Sequence, residues 1–197
     1  MSMPFFFGYG SLVNRATHDN SDAHPARIIG WRRAWRHVEG RKVAFLTAVP
    51  DPTSVIDGLI AHVPGGDWAA LDMREHAYAR VMADDVEHGV FGAPEIHIYH
   101  APADMHAPAN EKRPVLLSYV DVVVQGYLRE FGEDGVTRFF ETTDGWDAPM
   151  RDDRDDPMYS RHQRLSRAET ALVDRWLERL EIRPFKAATS DLTAGNR

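Results

Sequence analysis

The sequence has no cysteine, and this absence removes several kinds of chemistry at once. Disulfide bonds, thiolate catalysis, thiolate metal ligands and iron–sulfur clusters all need cysteine, so none of them is expected here. An excess of positive charge is also missing, because 30 acidic residues against 23 lysines and arginines give a formal net charge of −7. A nucleic-acid or anionic-membrane partner attracted by bulk charge is therefore not expected.

Long hydrophobic runs are absent too. No stretch approaches the roughly 20 apolar residues that cross a bilayer, and Gly8 interrupts the N-terminal phenylalanine run, which no basic segment precedes. The expected location is therefore the cytoplasm. With 43% hydrophobic residues, the 197-residue chain has the composition of one globular domain with a real core. We predict a core over about 4–143, a C-terminal loop-and-helix extension over about 144–184 and a tail over 185–197.

The segment after the first predicted strand is the most informative one. An apolar run breaks there into Gly8-Tyr9-Gly10-Ser11-Leu12. Glycine permits a positive φ and lets a ligand approach the main chain closely. Exposed N–H groups in such a turn can form a concave nest for an anion or a developing oxyanion. A plain turn between strand and helix is the alternative, and the spacing alone does not choose between them.

Three well-known motifs are excluded at this segment. Val13 stands where the dinucleotide pattern G-x-G-x-x-G needs its third glycine. Tyr9 and Val13 also stand where the nucleophile elbow G-x-S-x-G needs its glycines. The Gly-Lys-Ser/Thr ending of a P-loop is absent. Ser11 is therefore a poor candidate for an activated nucleophile.

The first hundred residues predict a mostly β region. Short apolar runs bounded by turn residues indicate strands over 5–9, 26–36, 43–49, 55–63, 78–82 and 95–100. Pro50-Asp51-Pro52 predicts a turn, and one helix beginning at Asp67 interrupts the series. This spacing is typical of a small closed or strongly curved sheet, not of a doubly wound parallel sheet.

The second half predicts helices. Apolar residues recur with helical period over 115–131, where Gly132 is expected to end the helix, and a short second helix follows over 135–143. The acidic, proline-containing stretch 144–160 predicts a loop. Ser166 and Glu169 form a capping box that opens a final amphipathic helix. The predicted fold class is therefore α+β.

Glu75 is the carboxylate of most interest, because it lies between the predicted helix and the following strand. Two interpretations are open. It is either a surface group paired with Arg74 or Arg80, or a partly buried general base whose pKa is raised by its cavity.

Two other clusters hold potential metal ligands, and neither has a recognised spacing. The histidine-rich cluster consists of His97, His100, Asp104 and His106. The acidic cluster consists of Asp152, Asp153, Asp155 and Asp156, with Arg151 and Arg154 interleaved. We expect scattered histidines in the first cluster, a solvated loop in the second, and no metal in either.

Three short segments occur in order along the chain: Phe7-Gly8-Tyr9-Gly10-Ser11-Leu12; Leu71-Asp72-Met73-Arg74-Glu75 followed by Tyr78; and Ser118-Tyr119 with Gly126 behind it. Together they resemble the γ-glutamylcyclotransferase family, with its YGS-L/N loop after the first strand, its L-D-x-x-E segment and its P-S-x-x-Y helix with a trailing glycine. His76 replaces the family's usual glycine after the glutamate, and Leu116-Leu117 replaces the proline. The resemblance covers roughly residues 5–131.

The resemblance implies a small mixed β-barrel flanked by helices that converts a γ-glutamyl compound to 5-oxoproline and a free amine. In that reaction the α-amine of the substrate attacks its own γ-carbonyl, so no protein nucleophile, metal or organic cofactor is required. Holding both groups in one molecule can supply effective molarities of about 10⁵ M or more. Glu75 would take a proton as general base and return one to the leaving amine.

The resemblance also implies which residues bind the substrate. The γ-glutamyl head group would lie in the nest formed by Gly8, Tyr9, Gly10, Ser11 and Leu12, with Tyr78 and Tyr119 as walls. Whether the nest holds the α-carboxylate or the oxyanion stays open. The sequence does not specify the oligomeric state or the amine half, which belongs to glutathione, a γ-glutamyl amino acid or a γ-glutamylamine. The loops 101–113 and 144–164 are expected to line that variable end.

Two other functions remain as alternatives. One is a non-catalytic module that binds γ-glutamyl compounds or small anions on the same fold. The other is a hydrolase that uses Glu75 and water on another amide, and this one would release free glutamate instead of its lactam.

Overall fold

A mixed β-sheet and three α-helices make up the described part of the chain. The computed structural model describes residues 3–19, 22–38, 42–75, 78–103, 106–107 and 110–186. The strands are β1 (Pro4–Gly8), β2 (Ala23–Val38), β3 (Phe45–His62), β4 (Ala79–Met82), β5 (Val86–His88), β6 (Glu95–His100), β7 (His106–Ala107), β8 (Val115–Leu116), β9 (Thr143–Asp144) and β10 (Met150–Arg151). The helices are α1 (Ala69–Arg74), α2 (Leu117–Glu141) and α3 (Arg167–Arg179).

The main sheet runs in the order β4-β6-β1-β3-β2-β5, and β7 and β9 add further pairs to β2. Strand β1 is parallel to β6 and antiparallel to β3, so the sheet is mixed. Strands β8 and β10 form a separate parallel pair. Among the described residues no pairing joins the end strands β4 and β5. The predicted α+β class with a mixed sheet and flanking helices is confirmed, and the described strand pairings do not by themselves close the sheet into the small barrel that the resemblance implied.

The two long strands β2 and β3 correct the predicted strand pattern. The predicted strands 43–49 and 55–63 are one strand, β3, and the turn predicted at Pro50-Asp51-Pro52 is wrong. Pro50 lies opposite Trp31, next to a shift of register at Gly30, whose φ is +83°. A proline removes one hydrogen bond from the ladder and is tolerated at such a bulge. The chain therefore passes through the prolines without leaving the sheet.

Helix α2 supplies much of the core. Gly132, with φ 67° and ψ −169°, interrupts the helix, and helical structure then continues to Glu141. The buried face of α2 packs on the sheet through Val120, Val123, Val124, Tyr127, Val136 and Phe139. In the described part of the chain, no helix is long and apolar enough to cross a membrane.

The final helix begins as its sequence predicts. Ser166 Oγ accepts a hydrogen bond from the Glu169 N–H (3.2 Å), and the Glu169 carboxylate accepts one from the Ser166 N–H (2.7 Å). These two bonds are the capping box. The apolar face of α3 reaches α2 through Trp176, whose ring stacks on Phe140 with centroids 4.6 Å apart.

A buried cation lies between the sheet and α2. Arg33 is completely buried, and burial lowers the pKa of its guanidinium. It donates to the Tyr127 hydroxyl (2.9 Å), the Asp57 carbonyl (3.2 Å), and the hydroxyls of Thr142 (2.7 Å) and Thr143 (3.1 Å). Because a buried charge is costly without partners, these four bonds fix the end of α2 against β2.

The start of α2 is capped from the C-terminal extension. Asp153 is buried, and its carboxylate accepts hydrogen bonds from Ser118 N–H (2.8 Å), Ser118 Oγ (2.6 Å) and Met158 N–H (2.8 Å). The first N–H groups of a helix have no partner within the helix, and a carboxylate there is stabilising. The expectation of a solvated acidic loop is therefore wrong for Asp153, which ties the extension to α2.

The chain is still paired where the predicted tail begins. Phe185 N–H donates to the carbonyl of Met150 (2.9 Å), and Asp152 N–H donates to the carbonyl of Phe185 (2.9 Å). Residues 187–197 of the predicted tail lie outside the described residues.

Helix α2 lies directly on the turn that follows β1. Asn14 Nδ2 donates to the Val122 carbonyl (3.0 Å) and to Gln125 Oε1 (2.9 Å). A Cβ placed on Gly126 would lie 2.7 Å from the Asn14 nitrogen and 2.8 Å from its Cα. Only glycine at position 126 permits this approach, so the helix and the turn fix each other.

We predict that Gly126→Ala destabilises the protein by about 1–2 kcal/mol. Displacing a packed backbone costs about 1–3 kcal/mol, and the better helix propensity of alanine returns up to about 1 kcal/mol. Urea unfolding measures the change. Gly89→Ala is the control, because a Cβ there meets no atom within 4 Å. Equal stability of Gly126→Ala and wild type would contradict the close contact.

Candidate functional site

The predicted site residues lie together on one pocket of about 50 Å³, which has room for a few waters or a small polar group. The predicted residues that line it are Gly8, Tyr9, Gly10, Ser11, Leu12, Glu75, Tyr78 and Tyr119, and they are joined by Phe7, Leu46 and Tyr99. These residues come from distant parts of the chain, so the fold itself brings them together. Their chemical roles remain predictions.

The nest is a 3-10 turn after β1. Val13 N–H donates to the Gly10 carbonyl (3.0 Å), and Asn14 N–H donates to the Ser11 carbonyl (3.0 Å). Gly10 has a φ of −113°, so the turn does not need a positive φ there. Glycine is needed because a Cβ on Gly10 would lie 2.6 Å from the Tyr119 hydroxyl. The same hydroxyl lies 3.4 Å from the Ser11 nitrogen.

Glu75 follows α1, is paired with Arg74 and lines the pocket, and its role as a general base stays a prediction. Its backbone N–H donates to the Leu71 carbonyl (2.9 Å), and its carbonyl accepts from Tyr78 N–H (2.8 Å). Its side chain is 19% exposed, and Glu75 Oε1 lies 3.3 Å from Arg74 Nε. The carboxylate is thus paired with Arg74 and also lines the pocket. Arg80, the other predicted partner, pairs elsewhere.

Three tyrosine hydroxyls around Glu75 stay protonated at neutral pH. Burial is the main cause that raises the pKa of Tyr9, Tyr99 and Tyr119, and the nearby negative charge of Glu75 adds to the rise in each. The Tyr9 hydroxyl donates a hydrogen bond to the Tyr99 carbonyl (2.6 Å). Tyr119 keeps a neutral hydroxyl that can donate a hydrogen bond beside the nest.

Tyr78, the residue directly before β4, also lines the pocket. Its hydroxyl donates to the Leu46 carbonyl (3.1 Å), and its ring lies edge-on to Phe45 with centroids 5.4 Å apart. This hydroxyl is therefore held by the protein, and Tyr78 serves the pocket as a wall.

Asp72 links α1 to the sheet, and the sequence reasoning gave it no role of its own. Its carboxylate accepts hydrogen bonds from Tyr99 Oη (2.5 Å) and Arg80 Nε (3.0 Å). Arg80 also lies over the Trp68 ring, 4.2 Å from its centroid. Asp72 stands three residues before Glu75 and so shares its helix face. That spacing was the signal that could have singled out Asp72 together with Glu75.

The extension, which the sequence predicted as a loop near the variable end of the substrate, contacts Tyr119, one of the residues that line the pocket. The Tyr159 ring lies edge-on to the Tyr119 ring, with centroids 4.9 Å apart. Trp35 contacts the Tyr119 ring as well, at 5.8 Å. Tyr119 is therefore held between the sheet and the extension.

The histidine cluster is dispersed. His97 lies edge-on to Trp68 at 4.9 Å, and His100 lies edge-on to Trp31 at 5.5 Å. Asp104, the side chain of His106 and the whole of His76 lie outside the described residues. Within the described ranges, no group of three or more histidine or acidic side chains could hold a metal ion.

Comparisons with known proteins bear on the fold. No family sequence model and no curated protein matches the chain. Three solved structures resemble it: YkqA from Bacillus subtilis (17% identity, TM-score 0.54, 74% of this chain and 57% of that one), a γ-glutamyl cyclotransferase (12%, 0.52, 87% and 98%) and an uncharacterized protein from Homo sapiens (12%, 0.52, 86% and 97%). The chain thus spans little more than half the length of YkqA. It has the γ-glutamyl cyclotransferase-like fold that the three segments predicted.

We predict that Gly10→Ala and Tyr119→Phe are coupled. Gly10→Ala should destabilise the wild type by about 1–3 kcal/mol, because its Cβ overlaps the Tyr119 hydroxyl. Removing that hydroxyl in Tyr119→Phe relieves the overlap, so the same substitution should cost about 1 kcal/mol less in that background. A double-mutant cycle by urea unfolding measures the difference. Additive effects would contradict the contact.

We predict that the stability gap between wild type and Asp72→Asn depends on pH. Hydrogen bonds from Tyr99 and then Arg80 lower the pKa of Asp72 in the folded state. Its stabilisation is therefore complete above the unfolded pKa and is lost as the pH falls through the lowered folded pKa, below about pH 4. Since the Asp72 side chain is 45% exposed, the gap at pH 7 should be about 1 kcal/mol or less.

Thermal unfolding from pH 3 to pH 7 measures this gap. Asp84→Asn, at an exposed position, is the control. A gap for Asp72→Asn that does not narrow at low pH would mean that the charge of Asp72 does not stabilise the fold.

Proposed function

We propose that this chain is a γ-glutamyl cyclotransferase that converts a small γ-glutamyl compound to 5-oxoproline and releases its amine half. The observation that carries the proposal is the meeting of the nest, Glu75 and Tyr119 on one pocket. The likeness in fold to a solved γ-glutamyl cyclotransferase supports it. The substrate is a small molecule, and neither a nucleic acid nor a membrane takes part in the reaction.

The proposed reaction is an intramolecular acyl transfer. The α-nitrogen of the substrate forms a bond to its γ-carbonyl carbon and closes a five-membered lactam. The bond from that carbon to the nitrogen of the amine half then breaks. Protons lost by the α-nitrogen end on the departing amine. Glu75 carries them, first as general base and then as general acid.

Positioning and hydrogen bonding supply the rest of the catalysis. The Tyr119 hydroxyl oxygen accepts a hydrogen bond from the Ser11 N–H (3.4 Å), and its own O–H is a donor suited to the α-carboxylate or to the oxyanion that develops on the γ-carbonyl. The nucleophile and the carbonyl belong to one molecule, so binding the head group in a cyclisation-ready shape accelerates the reaction. Ser11 is needed as part of the nest and not as a nucleophile.

A non-catalytic binding module is the second candidate. It is favoured by the pair between Arg74 and Glu75, since a carboxylate already balanced by a cation suits a site that only holds its ligand. Such a module would bind a γ-glutamyl compound and release no 5-oxoproline.

We predict that Glu75→Gln lowers the rate of 5-oxoproline release by about 10²–10⁴-fold, the usual contribution of a general acid–base. The amide keeps the size of the side chain but cannot take the proton. Product formation from a panel of γ-glutamyl substrates, followed by mass spectrometry, measures the effect. Circular dichroism verifies that the variant is folded.

Glu87→Gln is the control, because Glu87 is exposed on β5, away from the pocket. It should turn over substrate as the wild type does. Full activity of Glu75→Gln would overturn the proposed role of Glu75. Binding without product in the wild type would support the binding module, and free glutamate as product would indicate a hydrolase.

A further inference from the structure

Residues 159–163 of the extension begin at a contact with Tyr119, which lines the pocket. At one end, Tyr159 packs edge-on against Tyr119 at 4.9 Å. At the other end, Gln163 Nε2 donates to the carbonyl of Ala16 (3.4 Å), in the second 3-10 turn, Arg15–Thr17. The segment therefore crosses from the start of α2 to the turns that follow the nest. Arg161 lies midway along this crossing.

The segment is fixed on both sides. Asp153 ties the chain before it to the start of α2, through Ser118. Gln125 Nε2 donates to the carbonyl of Arg164 (3.3 Å) behind it. Within it, His162 N–H donates to the Tyr159 carbonyl (3.0 Å) and closes a turn. A segment held in this way can present a side chain to the pocket in a reproducible position.

Two cations face the same region. Arg74 is only 18% exposed and pairs with Glu75. Burial lowers the pKa of Arg74, and the positive charge of Arg161 lowers it further, against the opposing effect of Glu75. Arg161 is exposed, and its side chain makes no ion pair or hydrogen bond with the described residues. Arg74 and Arg161 are thus two cations whose charges interact, and Glu75 is the carboxylate paired with one of them.

We propose that residues 159–163 line a second subsite that holds the amine half of the substrate, and that Arg161, with Arg74 beside it, recognises a carboxylate on that half. The inference rests on the proposed function and narrows its substrate class. The preferred substrates are γ-glutamyl amino acids or peptides, and γ-glutamylamines without a carboxylate are poor ones. A guanidinium matches a carboxylate in charge and in geometry.

The test compares two compounds that differ in this carboxylate, γ-glutamyl-alanine and γ-glutamyl-ethylamine. Turnover is measured in the wild type, Arg161→Gln, Arg161→Lys and Arg167→Gln. Arg161→Gln should raise KM for γ-glutamyl-alanine roughly tenfold, the loss of one charge-assisted contact, with kcat little changed. It should alter γ-glutamyl-ethylamine less than about twofold. Arg161→Lys should restore part of the affinity, and Arg167→Gln, at an exposed position in α3, should match the wild type.

Calorimetry on proteins that carry Glu75→Gln measures binding without turnover, because this variant is expected to leave the bound ligand intact. Binding of the amine half is therefore tested separately from the proposed reaction. A preference for γ-glutamyl-alanine that Arg161→Gln abolishes supports the carboxylate subsite. Equal binding of the two compounds, or equal losses for both in Arg161→Gln, overturns it. If the wild type releases no 5-oxoproline from either compound, the proposed function fails, and the binding ratio still decides whether the subsite exists.

Discussion

The close contact between α2 and the turn after β1 is the constraint on which the site depends. Gly126 lets the helix backbone approach Asn14, and at the next residue the Tyr127 hydroxyl donates to the Tyr9 carbonyl (2.9 Å). Tyr119 extends the same helix face two turns earlier and reaches Ser11. The distance between Tyr119 and the nest is therefore set by the packing that closes the core, so pocket geometry and core packing cannot vary independently.

Glu75 is held by a different kind of interaction. Helix α1 has six residues and none of them is buried, so neither its length nor core packing can stabilise it alone. Polar tethers do this instead, from Asp72 to Arg80 and Tyr99. One half of the site is thus built into the core, and the half that carries the carboxylate is attached by hydrogen bonds and ion pairs. The polar contacts of Asp72 are therefore weakened by low pH or by a single substitution, whereas the position of the nest changes when the size of a packed side chain changes.

The sequence predicted what local patterns encode, and missed what depends on distant partners. The strand 95–100 and the capping box at Ser166 follow from neighbouring residues, and the structure has both. The turn predicted at Pro50 failed because its partner strand supplies a bulge that accepts the proline. Asp153 caps a helix whose first turn is 35 residues away, and no local pattern indicates that. Three ordered segments predicted residues that line one pocket in the structure, but they did not predict the contact of Tyr119 with the extension.

The pKa values of the tyrosines that line the pocket indicate which chemical roles these residues can take. Apart from Glu75, its titratable lining consists of tyrosines. Tyr9, Tyr99 and Tyr119 are kept in the neutral form by burial first and by the charge of Glu75 as well. A neutral phenol donates a hydrogen bond readily but is a poor proton acceptor. The tyrosines therefore suit the binding and orientation of oxygens, and the proposed proton transfer belongs to Glu75. The carboxylate whose charge adds to the rise in these tyrosine pKa values is thus the group that a cyclisation would use.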